Sequence, residues 1–160
     1  ELLKEENIEE KELDQIILTI DGNLNHAKKI ISSTSDDKLQ AFKSWMRNCY
    51  TNDFSKIQFD LEWFNEQTTI NKKVFLFYSL NLIRESFIQN INSSLSKVIN
   101  AELEFIEKFA KTLNHEAIEK IIVEINEAIR YLDRNANPKI IFLDLSIEIA
   151  NVFQQIRQTA

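Results

Sequence analysis

The scarcity of turn-forming residues is the feature that most limits what this chain can fold into. Its 160 residues include one glycine and one proline, whereas an average protein contains about 7% glycine and about 5% proline. A β-sheet needs such residues to turn between its strands, so the sequence predicts an all-α protein, a helical bundle. Because 44% of the residues are hydrophobic, the chain can build one sizeable core.

Apolar residues recur at helical spacing along most of the chain. We expect Asp53 and Asn71 to act as N-caps, since Asp and Asn side chains accept hydrogen bonds from the first free N–H groups of a helix. The predicted helices cover residues 8–19, 24–33, 38–50, 54–66, 72–89, 95–99, 101–113 and 116–134, and a last one begins at Pro138.

The polar run SSTSDD, residues 32–37, is the best domain boundary in the sequence. Ser, Thr and Asp side chains compete for backbone hydrogen bonds and then cap whatever helix follows. We therefore predict a short helical fragment, residues 1–35, followed by a helical domain, residues 36–160.

The single proline marks the start of the last helix. Asn137 suits the N-cap and Pro138 the first helical position, because proline lacks the N–H that would be unpaired there. We expect Asn135 and Asn137 to serve turn geometry first and contacts second. A narrow polar stripe on this helix predicts burial on its other sides. The residues predicted to cover those sides are Ile140, Ile141, Phe142, Leu143, Leu145, Ile147, Ile149, Val152 and Phe153.

No motif of a catalytic or ligand-binding site is recognisable. One glycine excludes a glycine-rich phosphate loop, and His26, His115 and the lone Cys49 have neither zinc-ligand spacing nor a disulfide partner. Acidic side chains have the spacing of solvated helix faces. We therefore expect no catalytic residue, no metal and no cofactor. The carboxylates concerned are Glu62, Glu66, Glu102, Glu104 and Glu107.

The charge balance argues against binding to nucleic acid or to an anionic membrane. The net charge is −6 with a pI near 5.0, which gives no long-range attraction for phosphate, although it does not exclude a local basic patch. Trp45, Trp63, Phe75 and Phe77 lie on apolar helix faces, which favours core packing over base stacking. The absence of a signal peptide pattern and of a spanning apolar run suits the cytoplasm.

Three blocks resemble one known family. FKSWMRNCY (residues 42–50), FLFYSLNLIRESF (75–87) and RNANPKIIFLDLS (134–146), in this order, look like the C-terminal part of the delta-prime subunit of the bacterial DNA polymerase III clamp loader, in the form found in Bacteroidetes-like bacteria. The resemblance extends over essentially the whole chain. It implies a five-subunit AAA+ ring that loads the sliding clamp on primed DNA, each subunit having an ATPase-type domain, a helical lid and a helical collar.

Under this resemblance, residues 1–35 correspond to the end of the lid and residues 36–160 to the collar. GNLNHAK, residues 22–28, resembles the lid motif GSxRxA of the subunits that hydrolyse ATP, and Asn25 stands where those subunits have arginine. An amide lacks the charged fork that stabilises phosphate. The resemblance thus implies a subunit that does not hydrolyse ATP, and no cofactor for this chain.

The resemblance predicts a non-catalytic oligomerisation module. The implied partners are the gamma/tau-type and delta-type subunits, with DNA reached only through the complex, no membrane contact, and a monomeric isolated chain. The alternative is an all-helical ligand-binding regulatory domain of a transcriptional repressor, which needs a cavity lined by the central aromatic residues. Arg84 and Glu85 have two interpretations: they belong to a surface or interface, or they form an intrahelical ion-pair network. The predicted structural or interface residues are Arg84, Glu85, Arg134, Asn135, Asn137, Pro138 and Phe142.

Overall fold

The computed structural model describes residues 35–92, 94 and 101–159. In these ranges the backbone forms six α-helices and no strand, which confirms the predicted all-α class. The helices are α1 (Ser35–Thr51), α2 (Phe54–Glu66), α3 (Thr69–Ile91), α4 (Ala101–Ala110), α5 (His115–Asp133) and α6 (Pro138–Thr159). The predicted helices 8–19, 24–33 and 95–99 and the position of Asn25 lie outside the described residues.

The chain divides into two compact units, Glu1–Leu39 and Gln40–Ala160. The second unit contains α2 to α6 and the part of α1 from Gln40 onward. The assignment of residues 1–35 to a lid stays a prediction, because nearly all of that segment lies outside the described residues.

Side-chain caps fix the starts of three helices. Asp53 accepts a hydrogen bond of 3.2 Å from the N–H of Lys56, so its predicted cap role is confirmed. Asn71 is not a cap, and that prediction is wrong. Helix α3 begins at Thr69, three residues before the predicted start, because Thr68 has extended backbone geometry and its hydroxyl accepts the N–H of Asn71 at 3.1 Å. Asn114 caps α5 by accepting the N–H of Ala117 at 2.8 Å.

Helix α3 lies at the centre of the unit. It packs against both α4 and α5, while α6 packs against α5 and α2. Because α3 has neighbours on more than one side, its buried side chains include Phe75, Tyr78 and Ile83, which lie on different faces of the helix. A helix buried on several faces gains its stability from tertiary packing more than from helix propensity.

Stacked aromatic rings form the middle of the core. The ring of Phe142 in α6 lies 4.8 Å from that of Trp45 and 4.2 Å from that of Phe64, both in stacked geometry. Phe75 of α3 completes the cluster, with its ring centroid 5.8 Å from Trp45. The predicted core positions of Trp45 and Phe75 are confirmed, whereas Trp63 is half-buried and packs its ring edge-on against Phe75 at 5.0 Å.

A buried carboxylate joins α1 to α2. Asp60 accepts hydrogen bonds from Ser44 Oγ at 2.9 Å and from Asn48 Nδ2 at 2.8 Å. Burial raises the pKa of Asp60, and the two hydrogen bonds oppose that shift by stabilising the charged form. The polar contact therefore fixes how the two helices meet without an ion pair.

Burial on the last helix is less complete than its sequence predicts. Ile140 and Leu143 were expected among the covered residues, yet 65% of Ile140 and 39% of Leu143 are exposed. The helix packs on α5 and α2 and also contacts α1 through the ring of Trp45, yet these two positions remain exposed. Ile140 lies close to the turn that joins α5 to α6.

Candidate interaction surface at the turn between α5 and α6

The turn after α5 reverses the chain through one left-handed residue. Asn135 has φ of +58°, a conformation that Asn tolerates better than most residues with a Cβ atom. The N–H of Ala136 then donates to the carbonyl of Tyr131 at 3.1 Å. The last turn of α5 is therefore closed by backbone hydrogen bonds, and the chain leaves in a fixed direction.

The start of α6 is equally well defined. The side-chain oxygen of Asn137 accepts the N–H of Lys139 at 3.0 Å, and its carbonyl accepts the N–H of Ile141 at 3.1 Å. Pro138 is the first helical residue, as predicted. Together, Asn135, Asn137 and Pro138 fix the angle between α5 and α6 and so the shape of the surface beside the turn.

A groove of about 410 Å³ lies between α5 and α6 next to this turn. We call it the α5–α6 groove. Its exposed apolar side chains are Tyr131, exposed by 49%, and Ile140, exposed by 65%. Its full lining is Glu124, Glu127, Ala128, Tyr131, Ala136, Asn137, Ile140, Ile141, Asp144 and Leu145.

The rim of the α5–α6 groove is acidic. Burial raises the pKa of Glu124, and the charges of Glu148, Asp144 and Glu127 raise it further. Glu127 is also held by Arg130, whose Nη1 lies 2.7 Å from its Oε1. Repulsion among these carboxylates would be relieved by a cation from outside, so the groove is complementary to a partner that is both basic and apolar.

The predicted structural and interface residues fall into three places. Asn137 lines the α5–α6 groove, and exposed Arg134 and Asn135 with half-buried Pro138 form the adjoining turn. Phe142 is 1% exposed and stacked in the core, so its role is internal packing. On α3, outside the groove lining, Arg84 is exposed whereas Glu85 is buried.

Sequence reasoning missed Tyr131, Ile140 and Glu124 as surface residues of one groove. Helical periodicity identifies apolar positions, and on α6 these cover three sides, so no signal in the sequence says which side lacks a neighbour. The one relevant feature is Pro138, which predicts a sharp turn and therefore two adjoining antiparallel helices.

In the described part of the chain, no group of His, Cys, Asp and Glu side chains is arranged to hold a metal, and none of the helices there has the length and apolar character needed to cross a membrane. Four of the five candidate carboxylates are exposed, and the fifth, Glu102, accepts a hydrogen bond of 2.7 Å from the Tyr78 hydroxyl.

No protein-family model, curated protein or solved structure matches this chain. Any inference about its function therefore depends on its own surfaces and on the three sequence blocks that resemble the clamp-loader subunit.

Proposed function

We propose that residues 36–160 are a non-catalytic protein-interaction module that holds a delta-prime-type subunit in the clamp-loader ring of bacterial DNA polymerase III, in the cytoplasm. The observation that carries this proposal is the α5–α6 groove, where large apolar side chains are exposed beside a rigid turn. The sequence resemblance supplies the family in which this surface would act.

The resemblance and the groove meet in one segment. The block RNANPKIIFLDLS contains the turn residue Asn135 and one wall of the groove, including Ile140 and Asp144. An apolar centre with a polar rim is the usual anatomy of a protein interface. One of the three segments that resemble the family thus also lines a surface suited to contact with another protein.

The chemistry of the groove suggests its partner. A neighbouring gamma/tau-type or delta-type subunit would present basic and apolar side chains to it, burying roughly 800 Å² on each side. DNA would be reached only through the assembled complex. The isolated chain is expected to be a monomer, because a subunit present once in a ring has no need of a self-complementary face.

Packing of the central aromatic residues does not favour the repressor alternative. A ligand-binding regulatory domain needs a cavity among these rings, but Phe142 stacks directly on Trp45 and Phe64 at 4.8 and 4.2 Å. The α5–α6 groove lies at the surface instead. A packed aromatic core with a groove at the surface fits an interaction module better than a ligand-binding domain.

The proposal is tested by co-purification of the 160-residue chain with immobilised gamma/tau-type and delta-type subunits, with and without ATP. We expect binding that is independent of ATP and is lost in Ile140→Asp. Phe59→Asp is the matched control, because Phe59 is exposed by 70% on α2, outside the groove. It should bind like the unmodified chain.

Two results would count against the proposal. If the unmodified chain is retained by no clamp-loader subunit, the assignment to that complex fails. If it is retained and Ile140→Asp is retained equally well, the α5–α6 groove is not the surface used. Far-UV circular dichroism of both variants shows whether each is folded, and sedimentation of the isolated chain tests the expected monomer.

A further inference from the structure

A second groove lies between α1, α4 and the last turns of α6. It has a volume of about 320 Å³ and shares no lining residue with the α5–α6 groove. We call it the basic groove. The residues that matter for its chemistry are Lys43, Arg47 and Tyr50 from α1, Phe105 and Lys108 from α4, and Phe153 from α6.

Aromatic rings form the floor of the basic groove. Phe105 and Phe109 stack with their centroids 5.2 Å apart, and Phe109 contacts Phe153 edge-on at 6.4 Å. Tyr50 packs against the same Phe153 ring at 5.5 Å and stays 40% exposed. Because these rings support one another, the floor is an apolar surface formed before any ligand arrives.

Cations stand above this floor. The Nζ of Lys43 lies 5.4 Å from the ring centre of Phe105, and the guanidinium of Arg157 lies 5.1 Å from that of Tyr50. Such contacts with an aromatic face hold a cation in place without neutralising its charge.

Among the residues that the structure describes, one carboxylate lines the basic groove, and it already has a partner. Glu104 forms an ion pair of 2.8 Å with Lys108, whose hydrogen bond and charge lower the pKa of Glu104. Within the described residues, Lys43 and Arg47 form no ion pair. The groove therefore keeps a surplus of positive charge in a chain whose net charge is −6.

We infer that the basic groove binds an acidic peptide segment carrying one aromatic side chain. Peptide carboxylates pair with Lys43 and Arg47, and the guanidinium of Arg47 suits a two-point contact with a carboxylate. The aromatic side chain packs on the floor between Tyr50 and Phe105. This inference concerns a different face from the proposed clamp-loader contact and does not depend on it.

A peptide fits the basic groove better than a nucleic acid does. A nucleic acid carries a charge on every nucleotide, so the net charge of −6 repels it at long range more strongly than it repels a short peptide with a few carboxylates. A short acidic peptide places only a few charges close to the cations, while its aromatic side chain packs on the apolar floor.

The experiment is a fluorescence anisotropy titration of the whole 160-residue chain with a fluorescein-labelled peptide of four Asp, one Gly and a C-terminal Phe. We expect saturable binding that weakens as salt is added. Replacing the peptide Phe by Ser should weaken binding about tenfold, the loss expected when an aromatic side chain no longer enters an apolar site. Replacing the four Asp by Asn should abolish it.

The protein variants distinguish binding in the basic groove from a general effect of the charge of the chain. The double variant Lys43→Glu/Arg47→Glu should bind at least about tenfold more weakly. The matched control Lys56→Glu/Lys139→Glu makes the same charge change at two exposed positions outside the basic groove. It should bind within about twofold of the unmodified chain, since exposed charges at a distance are screened by salt.

Three outcomes overturn the inference: no saturable binding by the unmodified chain, equal losses in the two double variants, or tighter binding of a twelve-nucleotide oligo-dT than of the peptide. Far-UV circular dichroism checks that each variant is folded. If Lys43→Glu/Arg47→Glu is not folded, Lys43→Gln/Arg47→Gln replaces it. We expect this second variant also to bind the peptide more weakly than the unmodified chain.

Discussion

The indole Nε1 of Trp45 donates a hydrogen bond of 2.9 Å to Oγ of Ser146, a residue 101 positions later in the chain. Both side chains are fully buried, and Ser146 Oγ in turn donates to the carbonyl of Phe142 at 2.7 Å. A buried donor without a partner is costly. The serine therefore lets a tryptophan occupy the centre of an aromatic core with its polar atom satisfied.

Replacing Ser146 by Ala should lower the free energy of unfolding by about 1–3 kcal/mol, because the buried indole N–H loses its acceptor. Urea unfolding followed by tryptophan fluorescence measures this change. Ser79→Ala is the control: Ser79 is equally buried, but its hydroxyl donates only to the carbonyl of Phe75 in its own helix. Equal losses in the two variants would mean that the hydrogen bond from Trp45 is not the cause.

The lone thiol should be inert in the folded chain. Cys49 is fully buried, and burial together with the charge of Asp60 raises the pKa of its thiol, while the thiolate is the form that reacts. We expect almost no reaction with Ellman's reagent in native buffer and one equivalent per chain in denaturant. Rapid complete labelling of the native chain would show that α1 opens readily from the core.

Replacing Asn135, the left-handed turn residue, by glycine should hardly change the stability, whereas replacing it by alanine should destabilise the chain. Asn135→Gly keeps φ near +58° at no steric cost and should change the free energy of unfolding by less than about 0.5 kcal/mol, whereas Asn135→Ala should lower it by about 1 kcal/mol. Asn52, with φ of +55°, offers an independent repeat. Asn65→Ala, on an exposed helical position, should cause no loss, and thermal melting distinguishes these cases.

Two glutamates should make the free energy of unfolding depend on pH in opposite directions. In the folded state, burial raises the pKa of Glu124, and the negative charges of Glu148, Asp144 and Glu127 raise it further. Ionised Glu124 therefore weakens folding above its folded pKa, and the penalty disappears as pH falls below its unfolded value of about 4.3. Glu124→Gln should stabilise the chain near neutral pH, by at most about 0.5 kcal/mol, and lose this advantage in acid.

Glu116 is the matched control for that experiment. A hydrogen bond from Lys120 and its charge lower the pKa of Glu116, so its contribution is present above the unfolded pKa and is lost as pH falls through the folded one. Glu116→Gln should be less stable than the unmodified chain near neutral pH and equal to it in strong acid. Urea midpoints at the two pH values measure both variants, and the same sign of change for both at neutral pH would contradict these assignments.

Much of the helical layout could be predicted from the sequence, because local chemistry decides it. Asp53 and Pro138 fix the starts of α2 and α6 wherever those helices pack. The prediction at Asn71 is wrong because Thr68, a weaker cap by residue type, has the extended backbone that a cap requires, and the sequence does not show that geometry. The assignment of α6 as covered on most sides failed at Ile140, since periodicity gives an apolar face but not its neighbour.

The two grooves could not have been predicted by the same means. Lys43 and Lys108 belong to helices far apart in sequence, and their shared groove depends on how α1 and α4 meet. The sequence shows dispersed basic residues and an acidic total. Only the fold brings a few of those cations above one aromatic floor.

The distance in sequence between Trp45 and its partners in α6 has a consequence for synthesis of the chain. A ribosome adding about 5–20 residues per second needs roughly 5–20 s to make the 101 positions that separate Trp45 from Ser146. Throughout that interval, the nascent chain carries α1 without the rings and the acceptor that complete its core. Because the core around Trp45 needs Phe142 and Ser146 from α6, we expect this unit to complete its folding only after its last helix has been made.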